Sequence, residues 1–206
     1  MENYQIRQLK ESDTNSFIEL IVDIYSNLDD LEWFGKMPID HKNIINIIKS
    51  DRFFILGAFL EGKLASISSF DYKCGKILDK INFENKIRNS KIAEIGFTLT
   101  HSDYRKKGLM KLLVNELLKK AKRDNFNYVF AKIHKENIAS LRGCLNSGFK
   151  IHSTLKKEIK KEDFAFLIEK DFIKDSTKSK AVLTLKKFEN EEKILVDYNI
   201  LIKEIK

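Results

Sequence analysis

Arg105-Lys106-Lys107-Gly108-Leu109-Met110 is the stretch on which the fold of this chain turns. It stands between a strand predicted over Lys91 to Thr100 and a helix predicted over residues 108–123, on which Leu109, Leu112, Leu113, Leu117 and Leu118 share one face. His101 to Lys107 form the turn between them. The first amides of a helix lack intrahelical acceptors and carry partial positive charge. Gly108 allows close backbone approach, and three cations surround the turn, so the junction reads as an anion site whose geometry suits a pyrophosphate. Taken alone, the hexapeptide reads equally as a basic helix start with a tolerated glycine. Its surroundings decide.

Downstream the order is again strand, then helix: Tyr128 to Ile133 is β-branched and aromatic, and Asn137 to Ser147 has helical period before Gly148-Phe149. Upstream, Phe53 to Leu60 and Leu64 to Tyr72 read as an antiparallel pair joined through Glu61-Gly62-Lys63, where Gly supplies positive φ. Earlier still, Tyr4 to Leu9 alternates as a strand. Asp13 then stands at a helix N-cap before apolar residues at 17, 20, 21, 24, 25 and 28, and Asp40 caps a short helix carrying Ile44, Ile45, Ile47 and Ile48. Residues 73–90 lack a period and read as an insert of the kind that forms lids or binding loops. Phe149 to Ile159 and Phe164 to Phe172 are expected to close the sheet as a hairpin around Lys160 to Asp163. After a polar stretch from Lys174 to Lys180, a strand is expected over Ala181 to Phe188, and Ile194, Leu195, Tyr198, Leu201, Ile202 and Ile205 recur at helical spacing. This gives one domain over residues 1–172 and an extension over 173–206, packed on the core or on a partner subunit. An exposed strand at 181–188 would pair two copies as a homodimer.

The 206 residues suit one hydrophobic core, and the 43% apolar content with 15 Phe argues against disorder. The formal charge of +8 is spread over every predicted helix and loop, which argues for a solvated surface and against nucleic acid as partner. Cys74 and Cys144 have neither CxxC spacing nor His neighbours at ligand spacing, so neither a metal site nor a disulfide framework is expected. The N-terminus lacks the basic start and apolar run of a signal peptide, and no segment approaches 18 consecutive apolar residues, so a cytoplasmic protein without a membrane partner is expected.

The turn from Arg105 through Gly108 resembles the signature of the GCN5-related N-acetyltransferases: Arg or Gln, two variable residues, Gly, one variable residue, then Gly or Ala. Met110 departs at the last position. A second landmark of that family stands in register about 30 residues on, from Asn137-Ile138-Ala139-Ser140-Leu141-Arg142 to Gly148-Phe149. Trp33-Phe34 resembles a pair found after the first helix in a bacterial subgroup of unassigned substrate. The resemblance, over residues 4 to 172 in element order, implies an α/β fold with a mixed, mostly antiparallel sheet flanked by helices. It also implies acetyl-coenzyme A as cofactor. The pantetheine arm would lie along Thr98, Leu99 and Thr100, with the Leu99 amide donating to the thioester oxygen. The pyrophosphate would sit on the turn of Arg105, Lys106, Lys107, Gly108, Leu109 and Met110, and Asn137 and Ser140 would contact the arm from the opposite wall.

An alkylammonium must lose a proton before it attacks a thioester. Glu94, six residues before Thr100, stands where histone-type members carry their catalytic Glu and is the candidate base. Period 2 puts Glu94, Gly96, Thr98 and Thr100 on one strand face, opposite Ile95, Phe97 and Leu99. Cys144 occupies the position of the family's Tyr, which protonates the leaving thiolate. Cys144 as acid, water and Tyr104 are the alternatives, with His101 and His134 as minor candidates for a base acting through water. The expected activity is acetyl transfer to a primary amine of a small molecule, peptide or protein by direct attack. The alternative is a non-catalytic acyl-coenzyme-A sensor or a basic RNA-associated protein on the same fold.

Overall fold

The computed structural model describes residues 3–34, 36–165, 167–168, 173–188 and 191–205. The chain begins with β1 (Gln5–Gln8), α1 (Thr14–Asn27) and α2 (His41–Lys49). Asp40 caps α2 by accepting the Asn43 amide at 2.9 Å. Asp13 stands at the N-cap position of α1, but its carboxylate takes the Arg7 guanidinium on both oxygens at 2.7 Å and the Lys10 amide. The Arg7 fork holds that carboxylate below its usual range.

The hairpin of β2 (Phe53–Leu60) and β3 (Lys63–Asp71) closes where expected, with Glu61 at φ 49° and Gly62 at φ 80°. Residues 73–90 hold two short helices, α3 (Gly75–Leu78) and α4 (Asn85–Arg88). Cys74, Ile81, Phe83 and Ile87 seat this insert on Tyr128, Phe130 and Ile200. Then come β4 (Ile92–Thr100), α5 (Leu109–Arg123), β5 (Tyr128–His134), α6 (Ile138–Asn146) and β6 (Lys150–Lys160).

After β6 the structure departs from the sequence reading. The chain makes α7 (Glu162–Ala165) and α8 (Asp175–Lys186) and returns as β7 (Lys193–Glu204). The strand expected over Phe164 to Phe172 starts within α7, and residues 166 and 169–172 lie outside the described residues. Ala181 to Lys186 are helical because Thr177, Ala181, Thr184 and Phe188 bury one seam at helical spacing, two of its members being threonines that a search for apolar runs passes over. Lys180 fixes α8 by donating to the carbonyls of Ser26 and Leu28 at the end of α1. The tail expected to be helical is a strand on which Ile194, Val196, Tyr198, Ile200 and Ile202 alternate onto one face, while Leu195, Asp197 and Asn199 stand on the other, with Leu195 exposed.

The seven strands form one sheet of order β1-β2-β3-β4-β5-β7-β6. β4 and β5 run parallel, and the other neighbours pair antiparallel. β7 therefore lies inside the sheet and β6 forms its edge. On one face α5 packs Leu109, Leu113, Val114 and Leu117 against Ile95, Val129 and Phe70. Burying each such leucine stabilises the fold by roughly 2 kcal/mol. On the other face Phe17, Ile21, Ile44, Phe164 and Ala181 cover Ile67, Leu99 and Tyr198. Among the described residues no helix is long and apolar enough to cross a membrane.

Candidate active site

Parallel pairing of β4 with β5 runs from Ile92↔Tyr128 to Ile95↔Ala131 and stops. Beyond it β5 pairs only with β7, while β4 stays with β3 as far as Thr100, so a wedge opens between the two strands. The cause is a bulge. Between Phe70↔Ile95 and Ser68↔Thr98, β3 advances two residues and β4 three. Ser69 fills the gap in the ladder: its hydroxyl takes the Phe97 amide at 3.1 Å and also lies 3.4 Å from the Phe97 carbonyl. A Cβ at Gly96 would stand 2.7 Å from that oxygen, which is why this position is glycine.

The extra residue reverses the side-chain alternation expected along β4. Thr98 and Thr100 bond the hydroxyls of Ser68 and Ser66 at 2.8 Å, on the face that carries Ile95. Glu94 instead shares its face with Phe97 and Leu99, opposite the threonines. The peptide groups alternate too. The Leu99 carbonyl accepts the Ser66 hydroxyl and the His101 amide bonds Ala65, so the Leu99 peptide faces β3. This corrects Leu99 as the amide donor; the peptide groups of Thr98 and Thr100 are the ones that face the wedge.

At the outer end of β4, Asp23 of α1 accepts both the amide and the hydroxyl of Ser102 at 2.8 Å, and Arg105 donates to the Asn27 carbonyl. The turn is thereby tied to α1. Lys106 has φ 62°, and Gly108, the N-cap of α5, has φ 77° with open space where a side chain would be. The α5 ladder begins with the Leu112 amide on the Gly108 carbonyl at 3.0 Å, so the amides of Leu109, Met110 and Lys111 precede it without helical acceptors. A groove of about 580 Å³ runs from Gly108 past Lys111 and Asn115 to Tyr4.

The parallel pair that opens here ends at a left-handed glycine and a helix with open amides, where the signature Arg105 to Gly108 stands. Residues 15–149 match the Acetyltransferase (GNAT) family. The chain belongs to this family. No curated protein matches it significantly in sequence. In fold, this GNAT chain is similar to a GNAT acetyltransferase of Streptococcus pneumoniae, at 16% identity and TM-score 0.62 over 99% of this chain and 100% of the other. It is similar to a ribosomal-protein-alanine N-acetyltransferase of Brucella melitensis at 19% identity and TM-score 0.63, covering 97% and 99%. A third likeness is to yncA of Salmonella typhimurium, a structure with its cofactor acetyl-CoA, at 15% identity and TM-score 0.63, covering 99% and 95%.

The second GNAT landmark falls on α6 and the turn after it. Asn137 caps α6 by accepting the Ser140 amide at 3.1 Å. The Met110 departure is accommodated by Gly143, where a Cβ would meet the Met110 methyl at 2.9 Å. The thioether therefore lies in the contact between α5 and α6. Cys144 is 1% exposed among Ala131, Ile133 and Phe149, and burial pushes its thiol up to about 12. So sealed a thiol is a core residue, and Cys144 is corrected as the acid.

Glu94 is half-buried, and enclosure by the surrounding protein raises its carboxyl above the usual range, opposed by Lys132 and reinforced by Asp71. Asp71 stands directly across the ladder from Glu94 and is gripped by Arg52 through Nε at 3.0 Å and Nη2 at 2.6 Å. The minor histidines fall elsewhere. His101 lies 3.6 Å from Asp23 in the anchoring turn, and His134 is buried against Tyr198 with its Nδ1 taking the Glu136 amide. The sequence reading missed Ser69, Asp71 and Lys132. Gly96 inside a strand signals the bulge, and Lys132 is the one cation in the run Tyr128 to His134.

Proposed function

We propose that this GNAT protein transfers an acetyl group from acetyl-CoA to a primary amine by direct attack in a ternary complex. The observation that carries the reading is the wedge between β4 and β5, which ends at the open amides of α5. It offers strand-like pairing groups to a pantetheine arm and an anion site to a pyrophosphate. When bound, acetyl-CoA supplies the activated acetyl carbon.

The chain's residues have separate tasks in this reading. The peptide groups of Thr98 and Thr100 align the arm, and the Thr98 amide, in place of the Leu99 amide, donates to the thioester oxygen as negative charge develops there. Arg105, Lys106, Lys107 and the amides of Gly108, Leu109 and Met110 hold the pyrophosphate. The Asn137 amide group and Ser140 contact the arm from α6. Glu94 takes the proton from the acceptor ammonium, directly or through one water, and the freed nitrogen forms its bond to carbon and gives its second proton to solvent as the carbon–sulfur bond breaks. The leaving thiolate takes its proton from solvent, because Cys144 is sealed in the core.

Isothermal titration with acetyl-CoA tests this reading. Micromolar binding is expected, falling more than about 100-fold in Gly108→Glu, whose carboxylate would stand in the anion site. Absence of binding in the parent protein would overturn the reading.

A further inference from the structure

Two cations face Glu94 from across the sheet. Lys132 lies two residues beyond Phe130, the register partner of Glu94, and so points from the same face. Its Nζ stands 5.6 Å from the Tyr198 ring centroid. Lys157, exposed on the edge strand β6, pairs with Val196 of β7 and so stands on this same face, where its charge acts on both Lys132 and Glu94. Its ammonium is disfavoured first by enclosure and then by Lys132.

These two lysines differ from eight that are ion-paired elsewhere on the molecule. Lys49, Lys73, Lys119, Lys120, Lys135, Lys160, Lys187 and Lys193 each sit within ion-pair distance of a carboxylate. Among the described residues, Lys132 and Lys157 make no ion pair or hydrogen bond with one. Asp163, near Lys157, spends an oxygen on the Lys160 amide. The neighbouring wall adds donors. The indole nitrogen of Trp33 is enclosed without a partner, its ring 6.4 Å from that of His134. His134 accepts on Nδ1, which leaves its Nε2 as the donor in the neutral ring. A sheet face on which two ammonium groups and the Glu94 carboxylate stand outside any ion pair among the described residues, Asp71 being held by Arg52, is matched by a ligand carrying a negative group and an amine.

We propose that the acceptor is an amine that also bears a carboxylate: Lys132 and Lys157 hold the carboxylate, and the amino group is thereby delivered to Glu94. This rests on the acetyltransferase reading above and adds the class of substrate. Lys132 and Lys157 are specificity residues, while the proton moves through Glu94.

The test pairs each amino carboxylate with its plain amine: glycine with methylamine, β-alanine with ethylamine, and 4-aminobutyrate with propylamine. Coenzyme A release is followed for the parent, Lys132→Met, Lys157→Met and the neighbouring control Lys156→Met. At least one amino carboxylate should exceed its plain partner about tenfold or more in kcat/KM, chiefly through KM, as loss of a charge-assisted contact implies. That preference should collapse in Lys132→Met and Lys157→Met and persist in Lys156→Met, with acetyl-CoA affinity unchanged throughout. Binding gives a second readout: in coenzyme-A-loaded protein, N-acetylglycine should bind more tightly than N-methylacetamide, and Lys132→Met should remove the difference. Equal use of each pair, or a preference that survives both variants, overturns the proposal. So does intact cofactor binding with neither turnover nor preferential N-acetylglycine binding. Failure of the parent to bind acetyl-CoA is a separate result, which overturns the acetyltransferase reading itself.

Discussion

The two ends of β4 have nearly the same length and opposite fates. Ile92 to Ile95 pair with β5, Glu94 and Ile95 with β3 as well, whereas Thr98 to Thr100 pair with β3 alone and leave their other edge to the wedge. One extra residue separates them. A strand paired on both sides has no peptide groups left for a ligand, and one that left the sheet would have no rigidity to offer it. The bulge at Gly96 avoids both, because it ends one ladder while Ser69 keeps the other intact. It also turns Glu94 onto the face opposite Thr98 and Thr100, so the proposed base and the threonine side chains lie on different sides of the sheet.

The largest expected break in this comparison is Glu94→Gln, which acts on the zipped end. It should lower kcat by about 100-fold or more while leaving acetyl-CoA binding intact, read by steady-state kinetics beside titration calorimetry. Parent kcat/KM should rise with pH through a value above the usual carboxylate range, since Glu94 must be ionised to act. The same shift has a stability consequence of opposite sign. With a folded-state pKa above the unfolded one, the native protein holds more protons in the window between them, so stability falls as pH rises through it. Glu94→Gln should therefore raise Tm at pH 7 and lose that gain in acid below the ordinary Glu range. An unchanged Tm at pH 7 would count against the raised pKa.

Smaller effects are expected at the bulge. Gly96→Ala forces the Ser69 hydroxyl from the Phe97 amide and should cost about 1–3 kcal/mol in denaturant unfolding, with weakened acetyl-CoA binding. Ser69→Ala leaves the Phe97 amide short of a partner and should cost about 1 kcal/mol. If both act on one hydrogen bond, the double variant should cost less than the two together. Full additivity would mean that the bulge does not depend on Ser69.

Legibility in the sequence followed the locality of the forces. The hairpin at Glu61-Gly62, the cap at Asp40 and the strand–turn–helix at Gly108 each depend on neighbours a few residues away, and all three stand as read. The alternation along β4 was misread at a single position, for which Gly96 was the only local sign. The tail was misread in both elements because its structure is set at a distance. The apolar residues of 194–202 fit either period until β5 and β6 are there to take both edges of the strand into ladders, and α8 is identified by a seam that includes Thr177 and Thr184. At the site, the turn cations were legible as a motif. The grouping of Lys132, Lys157 and Asp71 around Glu94 joins four strands and has no linear trace.

The position of β7 bears on how the molecule assembles. β2 and β3 meet across a two-residue turn, but β5 must wait for a partner roughly sixty residues further along the chain, the kind of closure that raises contact order and slows folding. Until β7 inserts, β5 has an exposed edge beside the wedge and β6 has nothing to pair with. A cofactor that needs β5 fixed would then recognise only the finished sheet. Its presence would draw the population toward the native state by mass action and leave the early β2–β3 hairpin unaffected.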